Sequence, residues 1–435
     1  MNFLTTPKIV LFVLFISLSN FVNAQTKSNK VSTKISYGTA IDVGLSKERL
    51  ALIDSMCISA IKEGDLPGIV ALVARNGKIV YNKAFGTSNA ATKKALKTDD
   101  IFRLASQSKA ITATAVMMLW EQGKFRLDDP VSKYIPEFKN PVVLDSLFED
   151  GNFTTQPADK EISIRHLLTH TSGIGYGVID GDNRFKKIYK KAGIVDLFTT
   201  KNIRIGENIK KLATLPLHHN PGEKFTYSES YDVLGYFIEV ISGMSFNTFL
   251  RTHIFDPLGM DDTWFYLPES KADRLVAVQT KENGKWKNYP VTFYDTDYPI
   301  KGAKQFFSGG AGLSSTAEDY AKFLQMYLNK GVYNGKRLLS RTTVNIILAN
   351  HINDLWGEDT SVVYGLAFAV QNKKGEEKGG SGSEGTFSWG GYFNTQYFAD
   401  PKEQVIGIIL KQTQDTRSDK TGWKFPILVS QSIDN

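Results

Sequence analysis

The stretch FRLASQSKAITATAVMMLW, residues 102–120, decides which fold and which chemistry this chain is expected to have. Its polar residues cluster near the start, and the rest is mainly Ala, Ile, Val, Met and Leu, which predicts a helix that begins near Ser106. Residues three apart lie on one face of a helix, so the Ser106 hydroxyl can meet the Lys109 amine. The two residues are therefore a candidate activated nucleophile.

A second Ser-x-x-Lys match, Ser59 to Lys62, shows that this pattern by itself is weak. About two such matches are expected by chance in a chain of ordinary composition. The second match lies in a helix predicted over about residues 45–63, whose apolar side includes Cys57. Ser59 and Lys62 flank that side and are expected to face solvent, whereas Cys57 is expected to be a buried thiol.

The composition is that of an ordinary globular enzyme with a formal net charge of +7. Lysine and arginine are interspersed with acids, and the densest basic stretch, FKKIYKKAG at 185–193, is interpreted as a solvated helix face. No nucleic-acid motif accompanies it, so no nucleic-acid partner is predicted. A single cysteine excludes an internal disulfide framework.

The first 24 residues have the features of a signal peptide. Lys8 precedes the apolar run IVLFVLFISL, and Val22 and Ala24 satisfy the small-residue rule for cleavage after Ala24. The mature protein is therefore predicted to be periplasmic or secreted, with no stable membrane anchor after cleavage, because no later run is long enough to span a bilayer. Residues 25–40 are predicted to be a flexible leader, and the sequence leaves the oligomeric state open.

Strand patterns occur near both ends of the chain. Asn76-Gly77 joins two β-rich runs and is the strongest short hairpin signal. A helix capped by Ser315 or Thr316 follows the middle region, and β-rich runs return after it. We predict an α+β fold in one catalytic domain over residues 41–435. Its antiparallel sheet would come from about 41–105 and 300–435, flanked by helices, with a mainly helical insert at about 106–300.

Two later motifs accompany the nucleophile pair. Tyr227 lies in HNPGEKFTYSESYDVLG, and Trp389, Gly390 and Gly391 lie in the strand pattern GTFSWGGYFNTQYFADP. Serine early, tyrosine in the middle and a glycine-bearing strand late resemble the serine β-lactamase and penicillin-binding protein superfamily. The resemblance covers most of residues 42–415 and is strongest to the family VIII carboxylesterases.

The resemblance implies a role for each motif. Ser106 would be the nucleophile, and Lys109, Tyr227 or both would accept its proton. Backbone N–H groups of Ser106 and Tyr392 would stabilise the oxyanion. Substrate would be bound by Trp389, Gly390, Gly391 and Glu229.

Two departures from the β-lactamase pattern bear on the substrate. Glu229 stands where class C enzymes have the Asn of Tyr-x-Asn, and Trp389 replaces the Lys of Lys-Thr-Gly, so an amide and a cation that would bind a β-lactam are missing. A literal Lys420-Thr421-Gly422 comes too near the end of the chain, because two strands and a helix should follow that motif.

The sequence thus predicts an exported serine hydrolase that uses a Ser106 acyl-enzyme, with a small-molecule ester or amide as substrate and a carboxylic ester as the leading class. A β-lactamase, a D-amino-acid peptidase or amidase, an acyltransferase, and an inactive binding protein disabled by Glu229 remain alternatives. No cofactor is implied. His166 and His170 are four apart, but no Glu follows His166 as a zinc-protease motif requires, so no metal site is predicted. The absence of Gly-x-Ser-x-Gly disfavours an α/β-hydrolase.

Overall fold

The computed structural model describes residues 33–358, 360–379, 381–414 and 417–434. The predicted signal peptide and residues 25–32 of the predicted leader lie outside this part. The end of the leader belongs to the fold, since Ser36 and Tyr37 pair in parallel with Lys78 and Ile79. Ile35 is buried there, and this burial explains why these residues are ordered.

The strands and the helices are each numbered in chain order. The strands are β1 (Ser36–Tyr37), β2 (Gly68–Arg75), β3 (Lys78–Asn89), β4 (Lys94–Ala95), β5 (Phe102–Arg103), β6 (Val142–Leu147), β7 (Phe153–Pro157), β8 (Gln279–Glu282), β9 (Lys285–Asn288), β10 (Ser314–Ser315), β11 (Val332–Tyr333), β12 (Lys336–Arg337), β13 (Val362–Tyr364), β14 (Ala369–Gln371), β15 (Phe387–Gly391), β16 (Thr395–Asp400) and β17 (Val405–Leu410). The helices are α1 (Lys47–Lys62), α2 (Ser108–Glu121), α3 (Ile164–Leu168), α4 (Asn183–Ala192), α5 (Ile205–Leu212), α6 (Ser230–Ser242), α7 (Phe246–Leu250), α8 (Asp256–Leu258), α9 (Glu269–Ala272), α10 (Tyr298–Lys301), α11 (Ala317–Leu328), α12 (Arg341–Ile347), α13 (Lys373–Lys378) and α14 (Thr421–Ser430).

The main sheet is assembled from both ends of the chain. Its strand order is β1-β3-β2-β17-β16-β15-β14-β13, with β4 on the side of β3. Its central junction is the antiparallel pairing of β2 with β17, and among the pairings in this sheet β1 with β3 is the parallel one. Asn76 and Gly77, both at positive φ, form the predicted hairpin turn between β2 and β3. The predicted fold class is confirmed.

The two faces of the sheet are covered by different helices. Alternate residues of β2 point to opposite faces, so Ile69, Ala71 and Val73 pack with α1 and α14, while Val70 and Leu72 face the helical region. The second face carries the nucleophile candidate Ser106, because α2, which begins directly after it, lies in that core and is buried on nearly every side.

The region between residues 106 and 300 also contains two hairpins, β6–β7 and β8–β9, that the helical pattern did not predict. Both are short ribbons with largely exposed or half-buried residues, so they carry little of the apolar periodicity that identifies strands. In the described part of the chain no single helix is long and apolar enough to cross a bilayer; Ser230–Ser242 and Phe246–Leu258 pass by length and composition as a pair bent by 81°.

Candidate active site

The nucleophile candidate sits in a tight turn at the entrance to α2. Residues Ala105–Gln107 form one turn of 3-10 helix, and Ala105 has a φ of 47°, a left-handed conformation that costs energy for a residue with a side chain. Every residue from Ile101 to Met117 is buried except Ser106, which is partly accessible. The fold therefore presents one hydroxyl to solvent from an otherwise buried segment.

Lys109 is fully buried, and its amine makes three hydrogen bonds. Nζ donates to Ser106 Oγ at 3.3 Å, to the Tyr176 hydroxyl at 3.2 Å and to the Gly310 carbonyl at 2.8 Å. These bonds hold the amine beside Ser106, as the three-residue spacing predicted. An amine so placed can exchange a proton with Ser106 directly.

Tyr227 lies against Lys109 with its ring. The ring centroid is 4.6 Å from Lys109 Nζ, a cation–π distance, and 4.4 Å from the centroid of the His170 ring. The Tyr227 hydroxyl accepts a hydrogen bond from Trp389 Nε1 at 3.4 Å. Tyr227 is thus brought into the site, and its action as a base stays a prediction.

Tyr176 is the functional candidate that sequence reasoning missed. Burial raises the pKa of its hydroxyl well above the ordinary value, so the hydroxyl keeps its proton. The residue lies between Gly175 and Gly177. A Cβ on Gly175 would lie 2.2 Å from His218 Nε2, and one on Gly177 would lie 2.5 Å from an Asp196 oxygen. This Gly-Tyr-Gly triplet in GIGYG was the available signal.

β15 runs beside the nucleophile turn. A Cβ on Gly391 would lie 2.3 Å from the Leu104 carbonyl oxygen and 2.3 Å from Thr395 Oγ1, so only glycine allows the strand to come this close. Tyr392, the predicted oxyanion donor, follows directly. Gly391 therefore brings the strand end next to the turn that carries Ser106.

Aromatic side chains form the walls around the turn. Trp389 is stacked with Trp356 at a centroid distance of 6.5 Å, and Trp356 also meets Phe225 and Tyr364 edge to face. Ala105 itself belongs to an apolar cluster that also contains Tyr176, Phe198, Val278, Tyr294, Tyr298 and Phe393, with Tyr227, Tyr289 and Tyr392 packed against it. The surroundings of Ser106 favour uncharged, apolar groups.

Glu229 does not line these walls, contrary to its predicted part in substrate binding. It is 2% exposed, and its backbone N–H donates to the Gly175 carbonyl at 3.1 Å. The residue precedes α6, and its carboxyl lies beside Asp232 and Asp196. Burial, followed by those two carboxyls, raises the pKa of Glu229 well above its ordinary range.

Comparison with known proteins decides the family. The family model described as Beta-lactamase matches residues 53–430. This chain belongs to the beta-lactamase family. Esterase EstB of Burkholderia gladioli is 30% identical over 381 residues, 83% of this chain and 90% of that protein. The lovastatin esterase of Penicillium rubens is 28% identical and covers 82% of this chain and 91% of its own length.

A solved structure agrees with this assignment. EstCE1, described as a hydrolase with promiscuous acyltransferase activity, superposes with a TM-score of 0.71 at 25% identity, over 89% of this chain and 99% of that chain. The beta-lactamase-family chain is accordingly a serine hydrolase, with esterases among its relatives.

The fold of this family also explains the positions of the second Lys-Thr-Gly and Ser-x-x-Lys matches. In this beta-lactamase-family chain, two strands and a helix follow the Trp389 strand: β16, β17 and α14. Lys420-Thr421-Gly422 instead lies at the start of α14, where Thr421 accepts a hydrogen bond from Lys411. Ser59 is exposed in α1 and donates to Glu63 on the surface.

The two histidines of RHLLTHTSG have structural positions in the fold. His166 completes a capping box at the start of α3, because its Nδ1 accepts from Ser163 N while Ser163 Oγ accepts from His166 N. His170 is buried beside Tyr227, and burial, aided by the charge of Lys109, lowers its pKa well below 6.5. Among the described residues no group of three or more His, Cys, Asp or Glu side chains could hold a metal ion.

Proposed function

We propose that this chain is an exported serine hydrolase that cleaves carboxylic esters through a covalent Ser106 acyl-enzyme. The observation that carries the proposal is the 3.3 Å contact between Lys109 Nζ and Ser106 Oγ, at the one accessible residue of a buried segment. A serine becomes nucleophilic when an adjacent base can take its proton, and the Lys109 amine is placed to act as that base. The names of EstB and the lovastatin esterase support an ester as substrate.

The proposed reaction proceeds in two halves. Ser106 Oγ bonds to the carbonyl carbon while its proton passes to Lys109, and the carbonyl oxygen becomes an oxyanion held by the N–H groups of Ser106 and Tyr392. The bond to the alcohol oxygen then breaks, and the leaving alkoxide takes the proton from Lys109. In the second half, water bonds to the acyl carbon while one of its protons passes to Lys109, and the bond from the acyl carbon to Ser106 Oγ then breaks. Ser106 Oγ takes the proton back from Lys109, and the carboxylic acid is released. Tyr176 or Tyr227 assists the proton transfers from either side of the amine.

The aromatic walls support an ester rather than a β-lactam. Trp389 stands on β15 where the family pattern has a lysine, and its indole N–H is bonded to Tyr227. A carboxylate on the substrate would lose hydration there without gaining a cation, which is unfavourable. Hydrolysis of p-nitrophenyl esters should therefore exceed hydrolysis of nitrocefin and of D-Ala-D-Ala peptides.

Labelling with a fluorophosphonate probe, followed by mass spectrometry of the peptides, tests the covalent step. We expect the label on Ser106, with none after Ser106→Ala. Ser59→Ala is the matched control, since it changes the second Ser-x-x-Lys serine, and it should label as the wild type does. A label that persists in Ser106→Ala would overturn the assignment.

Export is tested separately by the N-terminus of the mature protein. Expression with the full leader should give a protein that begins at Gln25 after cleavage behind Ala24. Recovery of an intact N-terminus from the cytoplasm alone would contradict this part of the proposal and leave the enzymatic part unaffected.

A further inference from the structure

Three buried carboxyl groups adjoin one another near Lys109 and form a carboxyl chain. Glu229 lies between Asp196 and Asp232, within hydrogen-bonding reach of both. All three side chains are buried, with exposures of 6% for Asp196, 2% for Glu229 and none for Asp232. Three adjacent buried carboxylates would repel one another strongly, so at least one of the three carboxyl groups must be protonated.

The hydrogen-bond donors around the carboxyl chain indicate which of the three groups holds that proton. Asp232 Oδ1 accepts from Ser308 Oγ at 2.7 Å and from Gly310 N at 2.7 Å. Asp196 accepts from the backbone N–H groups of Gly177 and Val178. These bonds suit anions, whereas neither oxygen of Glu229 receives a bond from an N–H or hydroxyl group in the described structure.

Asp232 also has an oxygen that lacks a donor. Its Oδ2 is buried without a partner among the described residues, and Glu229 is the adjacent acid. A hydrogen bond from a protonated Glu229 to this oxygen would satisfy both groups at once. Ionised Glu229 would leave both unsatisfied and place a third negative charge there.

The two acids at the ends of the carboxyl chain, Asp232 and Asp196, bond to the segments that contact the Lys109 amine. Asp232 bonds the N–H of Gly310, whose carbonyl accepts from Lys109 Nζ at 2.8 Å. Asp196 bonds the loop directly after Tyr176, whose hydroxyl is 3.2 Å from the same Nζ. The carboxyl chain thus links two of the three groups that hold the amine.

We propose that Glu229 is a positioning residue, kept as a neutral acid that donates its proton to Asp232 and so holds Gly310 and Tyr176 around Lys109. The kinetic part of this inference rests on the proposed function, and the stability part does not. The groups that face the three carboxyls are Lys109 on α2, Tyr176 and Asp180 on the loop before α4, Tyr189 on α4, and Ser308 before Gly310.

The test compares Glu229→Gln with Glu229→Met and the wild type. Glutamine keeps an N–H donor for Asp232 and has no proton to lose, whereas methionine keeps the volume and removes the donor. Glu207→Gln on the exposed side of α5 reports the effect of removing one surface charge.

Thermal unfolding between pH 4.5 and pH 8.5 gives the first readout. A glutamate whose pKa is raised by folding contributes stability that is present below its unfolded value, near 4.3, and is lost as the pH rises toward the folded value. The midpoint of Glu229→Gln should therefore match the wild type near pH 4.5 and exceed it increasingly toward pH 8.5. A constant difference, or a variant less stable at every pH, would overturn the inference.

The second readout is kcat against pH for p-nitrophenyl acetate. At pH 7 we expect Glu229→Gln to stay within about 3-fold of the wild type and Glu229→Met to lose at least about 10-fold, because a buried acceptor then lacks its donor. Toward alkaline pH the kcat of Glu229→Gln should fall less than that of the wild type. Equal kcat values and equal pH profiles for Gln and Met would refute the positioning role. If the wild type is inactive on esters while the stability result holds, the proposed function fails and the neutral acid stands.

Discussion

The Tyr176 hydroxyl lies 3.2 Å from Lys109 Nζ, although the two residues are 67 positions apart in the chain. Burial keeps the proton on this hydroxyl by raising its pKa, so Tyr176 can donate to the neutral amine and accept from the ammonium. The amine therefore has a fixed partner on the side away from Ser106.

Tyr176→Phe should lower kcat for p-nitrophenyl esters by about 10-fold to 100-fold, because the amine loses a partner that fixes its orientation. KM should change little, since the hydroxyl is bonded to Lys109 rather than directed at substrate. Tyr37→Phe, which removes an exposed hydroxyl bonded to Glu318, is the control. An unchanged kcat in Tyr176→Phe would show that Ser106 and Gly310 suffice to place Lys109.

Lys109→Ala and Tyr227→Phe should each reduce kcat by at least about 10²-fold, which is the lower range for the loss of a general base. The double variant should be little worse than either, because members of one catalytic unit are strongly non-additive. The contact behind this expectation is the 4.6 Å approach of Lys109 Nζ to the Tyr227 ring. If the two losses multiply, or Tyr227→Phe keeps near-normal kcat, Lys109 acts without Tyr227.

Gly391→Ala should reduce kcat by at least about 10-fold and lower the unfolding midpoint. The new Cβ would lie 2.3 Å from the Leu104 carbonyl oxygen, which is backbone and cannot rotate away, so β15 must move from the Ser106 turn. Adding Thr395→Ala, which removes the Oγ1 atom that would also lie 2.3 Å from the new Cβ, should not rescue the variant. Gly181→Ala, at a position with no atom within 4 Å of the new Cβ, should behave as the wild type in both kcat and unfolding.

His166→Gln should make the protein more resistant to acid. Burial lowers the pKa of His166 to about 4, below its value of 6.5 in an unfolded chain. Between pH 6.5 and pH 4 the unfolded state therefore binds a proton that the folded state does not bind. The free energy of unfolding falls as the pH falls through this window. Glutamine can complete the capping box with Ser163 and does not titrate.

Urea unfolding at two pH values checks this expectation. At pH 7.5 the variant and the wild type should have similar free energies of unfolding, and at pH 5 the variant should be more stable by up to about 2 kcal/mol. His170, His219 and His351 also have lowered pKa values, but they remain in both proteins and cancel in the comparison. A variant that is equally destabilised at both pH values would mean that the imidazole is needed for the cap itself.

Short-range features could be predicted because their partners lie within a few residues. The contact between Ser106 and Lys109 follows from the helical repeat, and the turn at Asn76-Gly77 follows from the ease with which those residues adopt positive φ. Thr316, one of two predicted N-caps, accepts from the N–H of Asp319 three residues later. The two-ended sheet could also be predicted, because strand patterns are absent from most of the middle of the chain.

The sequence by itself thus determined the contact between Ser106 and Lys109, the local turns and caps, and the fold class, because each depends on neighbouring residues or on the order of motifs along the chain. Tertiary structure alone decided what surrounds the amine. Tyr176, Gly310 and Tyr227 contact Lys109 from segments 67 to 201 residues away. Local sequence periodicity cannot predict contacts over such distances along the chain. The same holds for Glu229, which the family resemblance predicted to bind substrate. Its environment depends on Asp196 from a distant loop, and burial beside two acids raises the pKa of Glu229.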